Sequence, residues 1–312
     1  MKKAVVTGGA GFIGSHLCDA LIARGLKAVC VDSLITGSRK NISHLIRNPN
    51  FKFIKLDTVK DKITEKDIDY IFHLASPASP VDYQRYSEET ALVNSLGTLN
   101  TLKLAVKNKA RLLFASTSEI YGDPLEHPQK ETYWGNVNSF GPRSCYDEGK
   151  RFGEAITYVY IKKYGVDARI VRIFNTYGPR MQKDDGRVIS NFINQAINSR
   201  PITIYGNGSQ TRSFCYVSDL VEGIEKVMFT DGLGGEIFNL GNPEEYTIVG
   251  LAEKIKKLTG SKSNVVFKPL PIDDPLRRRP DISKAKKILG WKPEVSLEEG
   301  LKATINYYKS IQ

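Results

Sequence analysis

The sequence predicts an α/β protein, a doubly wound parallel sheet with a smaller C-terminal α/β lobe. Three observations point there. Short apolar runs alternate with helical stretches from the first residues onward. A glycine-rich turn, TGGAGFIGSHL, joins the first run to the first helical stretch, and an aspartate, Asp32, closes the second run, VCVD. The chain has 312 residues, 41% hydrophobic and 25% charged, which is long enough for two lobes and a substantial core.

Taken in order, strands are expected at 4–7, 28–32, 51–56, 70–75, 112–116 and 168–174, and helices at 12–24, 89–108, 145–164 and 188–199. In the first connection Gly8 allows a tight turn, Gly11 lets the backbone approach a pyrophosphate, and Gly14 lets the helix pack against the strand. The helix N-terminus then favours phosphate charge. This is a Rossmann-type dinucleotide site. Asp32 suits a ribose with free 2′- and 3′-hydroxyls and repels a 2′-phosphate, so the expected cofactor is NAD rather than NADP. The cofactor domain is expected over 1–175, with 210–242 returning to it through a helix at 217–229 and a strand at 237–240. The substrate-binding lobe is expected at 176–209 and 243–312, with catalysis in the cleft between the two.

Lysine plus arginine number 45 and aspartate plus glutamate 34, giving 45 − 34 = +11. The basic residues are scattered, the longest run being Arg277 to Arg279, and no nucleic-acid motif accompanies them. An anionic small substrate is the expected partner, not nucleic acid. No apolar run reaches membrane-span length, and the opening MKKAVVTGG lacks a signal-peptide apolar region. The expectation is a cytoplasmic protein without a membrane partner. Cys18, Cys30, Cys145 and Cys215 have no CxxC spacing and read as small buried hydrophobes in a reducing compartment. The four histidines, His16, His44, His73 and His127, lack metal-ligand spacing, so no metal is expected.

Two stretches carry the chemistry. CYDEGK places Tyr146 and Lys150 on one face of a helix. A lysine ammonium there is expected to lower the tyrosine pKa toward neutrality, so that the pair accepts a proton from a sugar hydroxyl while hydride leaves for NAD. Tyr-x-x-x-Lys alone is a common chance spacing; behind a dinucleotide loop it gains meaning. RLLFASTSEIYGD reads as a buried strand that ends in Ser116, Thr117 and Ser118 and then one carboxylate, Glu119.

The order TGGAGFIGSHL, Asp32, HLAS, ASTSEIYG, YDEGK resembles the extended short-chain dehydrogenase/reductase family, over essentially the whole chain. More specific stretches resemble its UDP-glucuronic acid decarboxylase (UDP-xylose synthase) branch. They are HLASPASP, YWGNVN, GPRSCYDEGKR, RIFNTYGPRM, DGRVISNF, YGNGSQTRSFCYVSDL, NLGNPEE and DDPLRRRPDI. The implied reaction converts UDP-glucuronate to UDP-xylose: C4 is oxidised, carbon dioxide leaves from the position β to the new ketone, and C4 is reduced again. The sequence context at Glu119 agrees. The family's 4,6-dehydratases carry Asp-Glu after the threonine, whereas this chain has Ser118-Glu119, and serine is a poor acid for expelling hydroxide. The 4-epimerases have small or uncharged residues here. Glu119 therefore suggests chemistry at C5 without loss of a 6-hydroxyl.

The resemblance also implies residue roles. Thr117, Glu119, Tyr146, Lys150 and Arg278 are the expected catalytic residues. NAD is expected on Gly8, Gly11, Phe12, Ile13 and Gly14, on Asp32, Ser33, Thr36 and Gly37, and on Asp57 and Thr58. Leu74, Ser76, Tyr146, Lys150, Thr176 and Arg187 complete that set. The UDP-sugar is expected on Tyr83, Ser118, Asn175, Val188, Tyr205, Arg212 and Arg278. Guanidinium forks suit its anionic groups. Asn94 sits where the family's helix asparagine lies, and a homodimer is expected through the helices carrying Asn94 and Tyr146. One departure is VDYQRYSEE, where the decarboxylases read more like PNYMYNP: Tyr83 is kept and a second tyrosine is displaced to Tyr86. Three alternatives stand beside this reading: an enzyme that releases the UDP-4-keto-pentose with NADH, another NAD-dependent sugar-nucleotide epimerase or dehydratase, and a non-catalytic NAD-binding regulator.

Overall fold

Seven parallel strands form the central sheet of the computed structural model, which describes residues 1–270 and 277–311. They are β1 (Lys3–Thr7), β2 (Lys27–Asp32), β3 (Phe51–Lys55), β4 (Tyr70–His73), β5 (Arg111–Thr117), β6 (Ala168–Ile173) and β11 (Ile237–Leu240). Their order is β11-β6-β5-β4-β1-β2-β3, so the chain reverses direction of growth after β3 and leaves a crevice at the carboxyl ends of β1 and β4. Both faces of the sheet are covered, which is why the strands are apolar throughout rather than alternating. Ala4 and Val6 of β1 face one core with α1 (Phe12–Ala23) and α7 (Val217–Phe229). Val5 faces the other, with α4 (Thr98–Asn108) and α5 (Ser144–Tyr164).

A second core joins α6 (Val188–Ile197), α8 (Ile248–Thr259) and α10 (Leu297–Ser310), with Tyr177, Ile202, Ile204 and Phe214. Short strands frame it: β7 (Thr176–Tyr177) with β10 (Cys215–Tyr216), and β8 (Ile202–Tyr205) with β13 (Val265–Lys268). A three-stranded set, β12 (Glu245–Thr247), β9 (Thr211–Ser213) and β14 (Arg277–Arg278), lies in the order β12-β9-β14.

Two features differ from the sequence expectation. The helix expected over 89–108 is continuous but not uniform: a π-helical turn at Val93–Gly97 interrupts the α-helical pattern between α3 (Ser87–Leu92) and α4. Hydroxyls favour the interruption: Ser95 Oγ donates to the Ala91 carbonyl at 2.7 Å and Thr98 Oγ1 to the Asn94 carbonyl at 2.7 Å. Second, residues 282–291 do not stay with the second core. Ile282, Ala285 and Trp291 pack with the first, because the fully buried Trp291 donates its indole N–H to the Asp219 carbonyl on α7 at 2.9 Å. The 273–276 DDPL stretch lies outside the described residues.

The helix that carries Tyr146 and Lys150 is seated by glycines. A Cβ on Gly153 would lie 2.3 Å from Phe114 Cζ, and one on Gly149 would lie 3.0 Å from Asn94 Cβ. We predict that Gly153→Ala destabilises the protein by about 1–3 kcal/mol through overpacking. Urea unfolding checks this, and an unchanged midpoint would mean Phe114 moves aside freely.

Candidate active site

Every residue expected to catalyse, or to hold NAD or the sugar nucleotide, lines one cleft of about 640 Å³ at the carboxyl edge of the sheet. At one end lies the glycine loop. Gly8 has φ +72°, and a Cβ there would meet Ala75 N at 2.8 Å. A Cβ on Gly14 would sit 2.1 Å from Gly8 O, so this glycine serves contact between α1 and the loop itself rather than the strand. No side chain caps the N-terminus of α1. Asp32 closes this end: Oδ2 accepts from Ala10 N–H at 2.9 Å and Oδ1 from Leu34 N–H at 2.8 Å. Burial pushes its carboxyl up, and those two amides oppose the shift. Gly37 lets the following loop lie against the carboxylate, since a Cβ there would be 2.6 Å from Oδ1. Ser33 and Thr36 line the same loop, and Asp57, Thr58, Leu74 and Ser76 line the adjoining wall. An uncapped helix N-terminus, a loop stripped of side chains and a carboxylate beyond it fit a dinucleotide with a free ribose 2′-hydroxyl.

In the middle lies Tyr146, buried and stacked on Tyr83 with ring centres 5.1 Å apart and planes 5° apart. Tyr83 thus belongs to the site despite its divergent surroundings, while Tyr86, at the junction of α2 (Pro80–Arg85) and α3, is not among the cleft residues. Lys150 is buried, donates to the Ala115 carbonyl at 2.7 Å, and has its nitrogen 5.8 Å from the centre of the Tyr146 ring. The electrostatics differ from the expectation of a lowered tyrosine pKa. Burial pushes the Tyr146 phenol up to about 12, against a hydrogen bond with Thr117. Burial also pushes Lys150 down to about 7, with Glu154 opposing. A lysine this deeply desolvated does not present a full charge to the phenol. Asn94, in the π turn, is buried with both side-chain polar atoms unpartnered.

At the far end is Glu119, on the turn after β5. Its Oε1 accepts from Arg278 Nη1 and its Oε2 from Arg143 Nη2. Burial pushes this carboxyl up, but Arg278 and Arg143 outweigh that and hold it well below the usual carboxylate range. Ser118 is buried beside it. Arg143 was not among the residues singled out from the sequence. It lies in the quoted GPRSCYDEGKR, but nothing local marks it as a partner of Glu119. Arg278 is brought in by β14, where it pairs in register with Arg212 of β9, and both line the cleft. Asn175, Thr176, Arg187, Val188 and Tyr205 complete the second wall. Arg187 is locked to Asp185, with Nε to Oδ2 at 2.6 Å.

A buried polar chain holds Arg278 in place, and it too was invisible in the sequence. Gln129 donates its backbone N–H to the Arg279 carbonyl at 2.9 Å. It accepts from Asp281 N–H at 2.8 Å on its carbonyl and from Arg279 N–H at 2.8 Å on Oε1. Asn239 Nδ2 donates to the Gln129 carbonyl at 3.1 Å, and its Oδ1 accepts from Tyr121 at 2.8 Å. Arg172 then links Tyr121 at 2.9 Å to Glu154 at 2.7 Å, and Ser116 closes the chain on Glu154 at 2.6 Å.

Residues 5–304 match the family described as GDP-mannose 4,6 dehydratase. The chain belongs to that family. Within it, the chain is 54% identical over 308 residues to UDP-glucuronic acid decarboxylase 1 of Arabidopsis thaliana, covering 99% of this chain and 70% of that protein. It is 53% identical over 307 residues to UDP-glucuronic acid decarboxylase 1 of Danio rerio, covering 98% and 72%. Among solved structures, UDP-glucuronic acid 4-epimerase from Bacillus cereus, in complex with UDP-glucuronic acid and NAD, superposes with a TM-score of 0.92. Its identity is 31%, covering 99% of this chain and 100% of that one.

Lys150 has a stability consequence. Its folded pKa, about 7, lies below its ordinary value of 10.5, so the unfolded chain binds more protons between those values and stability rises with pH across that window. We predict that Lys150→Met is more stable than the parent at pH 7 by at least about 1 kcal/mol. The gain should shrink as pH approaches 10. Urea unfolding at several pH values checks it, and a variant no more stable at pH 7 would contradict the burial cost.

Proposed function

We propose that this protein decarboxylates UDP-glucuronate to UDP-xylose with NAD as a tightly held cofactor. The observation that carries this reading is the pair Ser118-Glu119 in its setting. Glu119 is kept ionised by two arginines, so it cannot serve as an acid, and a serine hydroxyl beside it is too weak to expel hydroxide. Neither Ser118 nor Glu119 therefore supplies the proton donor a 4,6-elimination needs, yet the site holds a carboxylate close to Tyr146. The identity of just over half to UDP-glucuronic acid decarboxylases, against about a third to the epimerase, agrees.

NAD accepts hydride from the sugar C4 and later returns it. The glycine loop, the α1 N-terminus and Asp32 hold its phosphates and ribose. Tyr146, hydrogen-bonded to Thr117, takes the proton of the 4-hydroxyl and gives it back after the final reduction. Lys150 adds positive charge behind the phenol as the proton moves. The 4-ketone makes the 5-carboxylate a β-keto acid, so its loss as carbon dioxide leaves an enolate that the ketone oxygen stabilises. Glu119 and Arg278 position the ring, and the enolate carbon C5 takes its proton from a water molecule. Arg212 and Arg278 clasp anionic groups of the substrate. Val188 and Tyr205 line the uridine pocket, while Asn175 and Tyr83 border the sugar. Residues 1–175 with 210–242 act as the cofactor unit, and 176–209 with most of the remainder as the substrate unit.

The working form is a homodimer. Leu92 and Leu96, and Phe152 and Val159 of α5, expose 38–47% of their surface on the helices that flank the site. Four unpaired thiols suit a reducing compartment, the cytoplasm.

NMR of UDP-glucuronate with the protein and a trace of NAD tests the function. UDP-xylose without net NADH is expected, and Tyr146→Phe should slow it by about 10²–10⁴-fold. A keto-pentose with stoichiometric NADH would show that the last reduction fails, and UDP-galacturonate would overturn decarboxylation.

A further inference from the structure

Two guanidiniums share one carboxylate in the cleft. They come from separate parts of the chain: Arg143 stands at the N-cap of α5, three residues before Tyr146, and Arg278 lies on β14. Arg278 is also the arginine placed to meet the substrate, and its Nη2 already donates to the Gly122 carbonyl at 3.0 Å. When it turns Nη1 toward a substrate anion it gives up its bond to Glu119. A buried carboxylate that loses its cation is strongly destabilised. The exchange therefore needs a second holder, and Arg143 is built as one. Its side chain is 13% exposed, its guanidinium lies 5.9 Å from the centre of the Tyr83 ring, and its Nε lies 3.8 Å from Asp147 Oδ2.

We infer that Arg143 is the standing counter-ion of Glu119, a positioning residue that keeps this carboxylate ionised and aimed at the sugar while Arg278 shifts its bonds to the substrate. The inference rests on the UDP-glucuronate reading above and extends it to a residue on the opposite side of the carboxylate. The groups facing Glu119 are Arg278 from β14, Arg143, Tyr146 and Asp147 from α5 and its N-cap, and Tyr83 from α2. The two arginines are its paired cations among the described residues. With Arg143 present, substrate binding takes Glu119 from two cations to one. Without it, the same event takes Glu119 from one to none. Asp147 steadies the arrangement from behind: its Oδ1 is buried without a partner, and burial followed by the charge of Glu119 pushes its carboxyl up. Its contact with Arg143, at 3.8 Å, is longer than the hydrogen bond Arg143 makes to Glu119.

The test is the pH dependence of kcat/KM for UDP-glucuronate in the parent, Arg143→Met and Arg143→Lys. Removing a cation raises the pKa of a carboxylate that must be ionised, so the acidic limb should move to higher pH. We expect a displacement of about one unit or more in Arg143→Met, with KM raised about tenfold, and recovery of most of both in Arg143→Lys. A second readout needs no turnover: in a Tyr146→Phe background, Arg143→Met should weaken calorimetric binding of UDP-glucuronate by a similar factor. A uniform loss of rate or thermal midpoint with the acidic limb unmoved would overturn the assignment and leave Arg143 a structural cap. If Arg143→Met does not fold, Glu119→Gln/Arg143→Met should, because no buried carboxylate then lacks a cation; an unfolded double variant would also overturn it. A parent enzyme that leaves UDP-glucuronate unchanged would count against the proposed function instead.

Discussion

A carboxylate at the end of a buried strand sets the terms for the rest of the site. Glu119 has little access to water, so it is stable as an anion only if cations reach it, and none is near it in sequence. Arg143 comes from 24 residues further on and Arg278 from 159 residues away. The last third of the chain must therefore cross back over the carboxyl edge of the sheet. The crossing is held by backbone: Gln129 grips both Arg279 and Asp281, and Asn239 grips Gln129 and Asp281. Gln129 and Asn239, the two hubs of that chain, are fully buried and hydrogen-bonded, which lets it specify one arrangement rather than several.

The same logic governs the tyrosine and lysine. Both are buried, and burial drives each toward its neutral form. The pair is therefore held at a cost to stability, in an environment that favours proton transfer only once charge is brought in beside it. Sites built for chemistry commonly carry such a cost. The close packing of α5 through Gly149 and Gly153 keeps these groups in place.

In this chain Ser118 and Glu119 sit on the turn that follows β5, at the wall of the cleft. A serine there removes the acid needed for elimination. An ionised, doubly held glutamate supplies fixed negative charge beside a sugar ring whose own carboxylate is to leave. Arg212 and Arg278 are register partners across β9 and β14, so these short strands bring two arginines remote in sequence to the same edge of the cleft.

The sequence by itself determined the local parts. The glycine loop with Asp32, the parallel alternation and the Tyr146–Lys150 face were legible, because each depends on spacing within one element or on a short motif, and the family resemblance added many of the cleft-wall residues though not Arg143. The interruption in the expected 89–108 helix was not legible: a π turn depends on hydroxyls finding carbonyls one turn back and on what packs against Asn94. Nor was the partnership of Arg143 with Glu119, the grip of Gln129 on the Arg278 strand, or the transfer of Trp291 to the first core. These join positions remote in the chain, and only the tertiary structure decides which buried charge meets which. The pKa of Tyr146 belongs with them. Spacing places the lysine near the phenol, but burial, a property of the whole fold, decides how much charge that lysine carries.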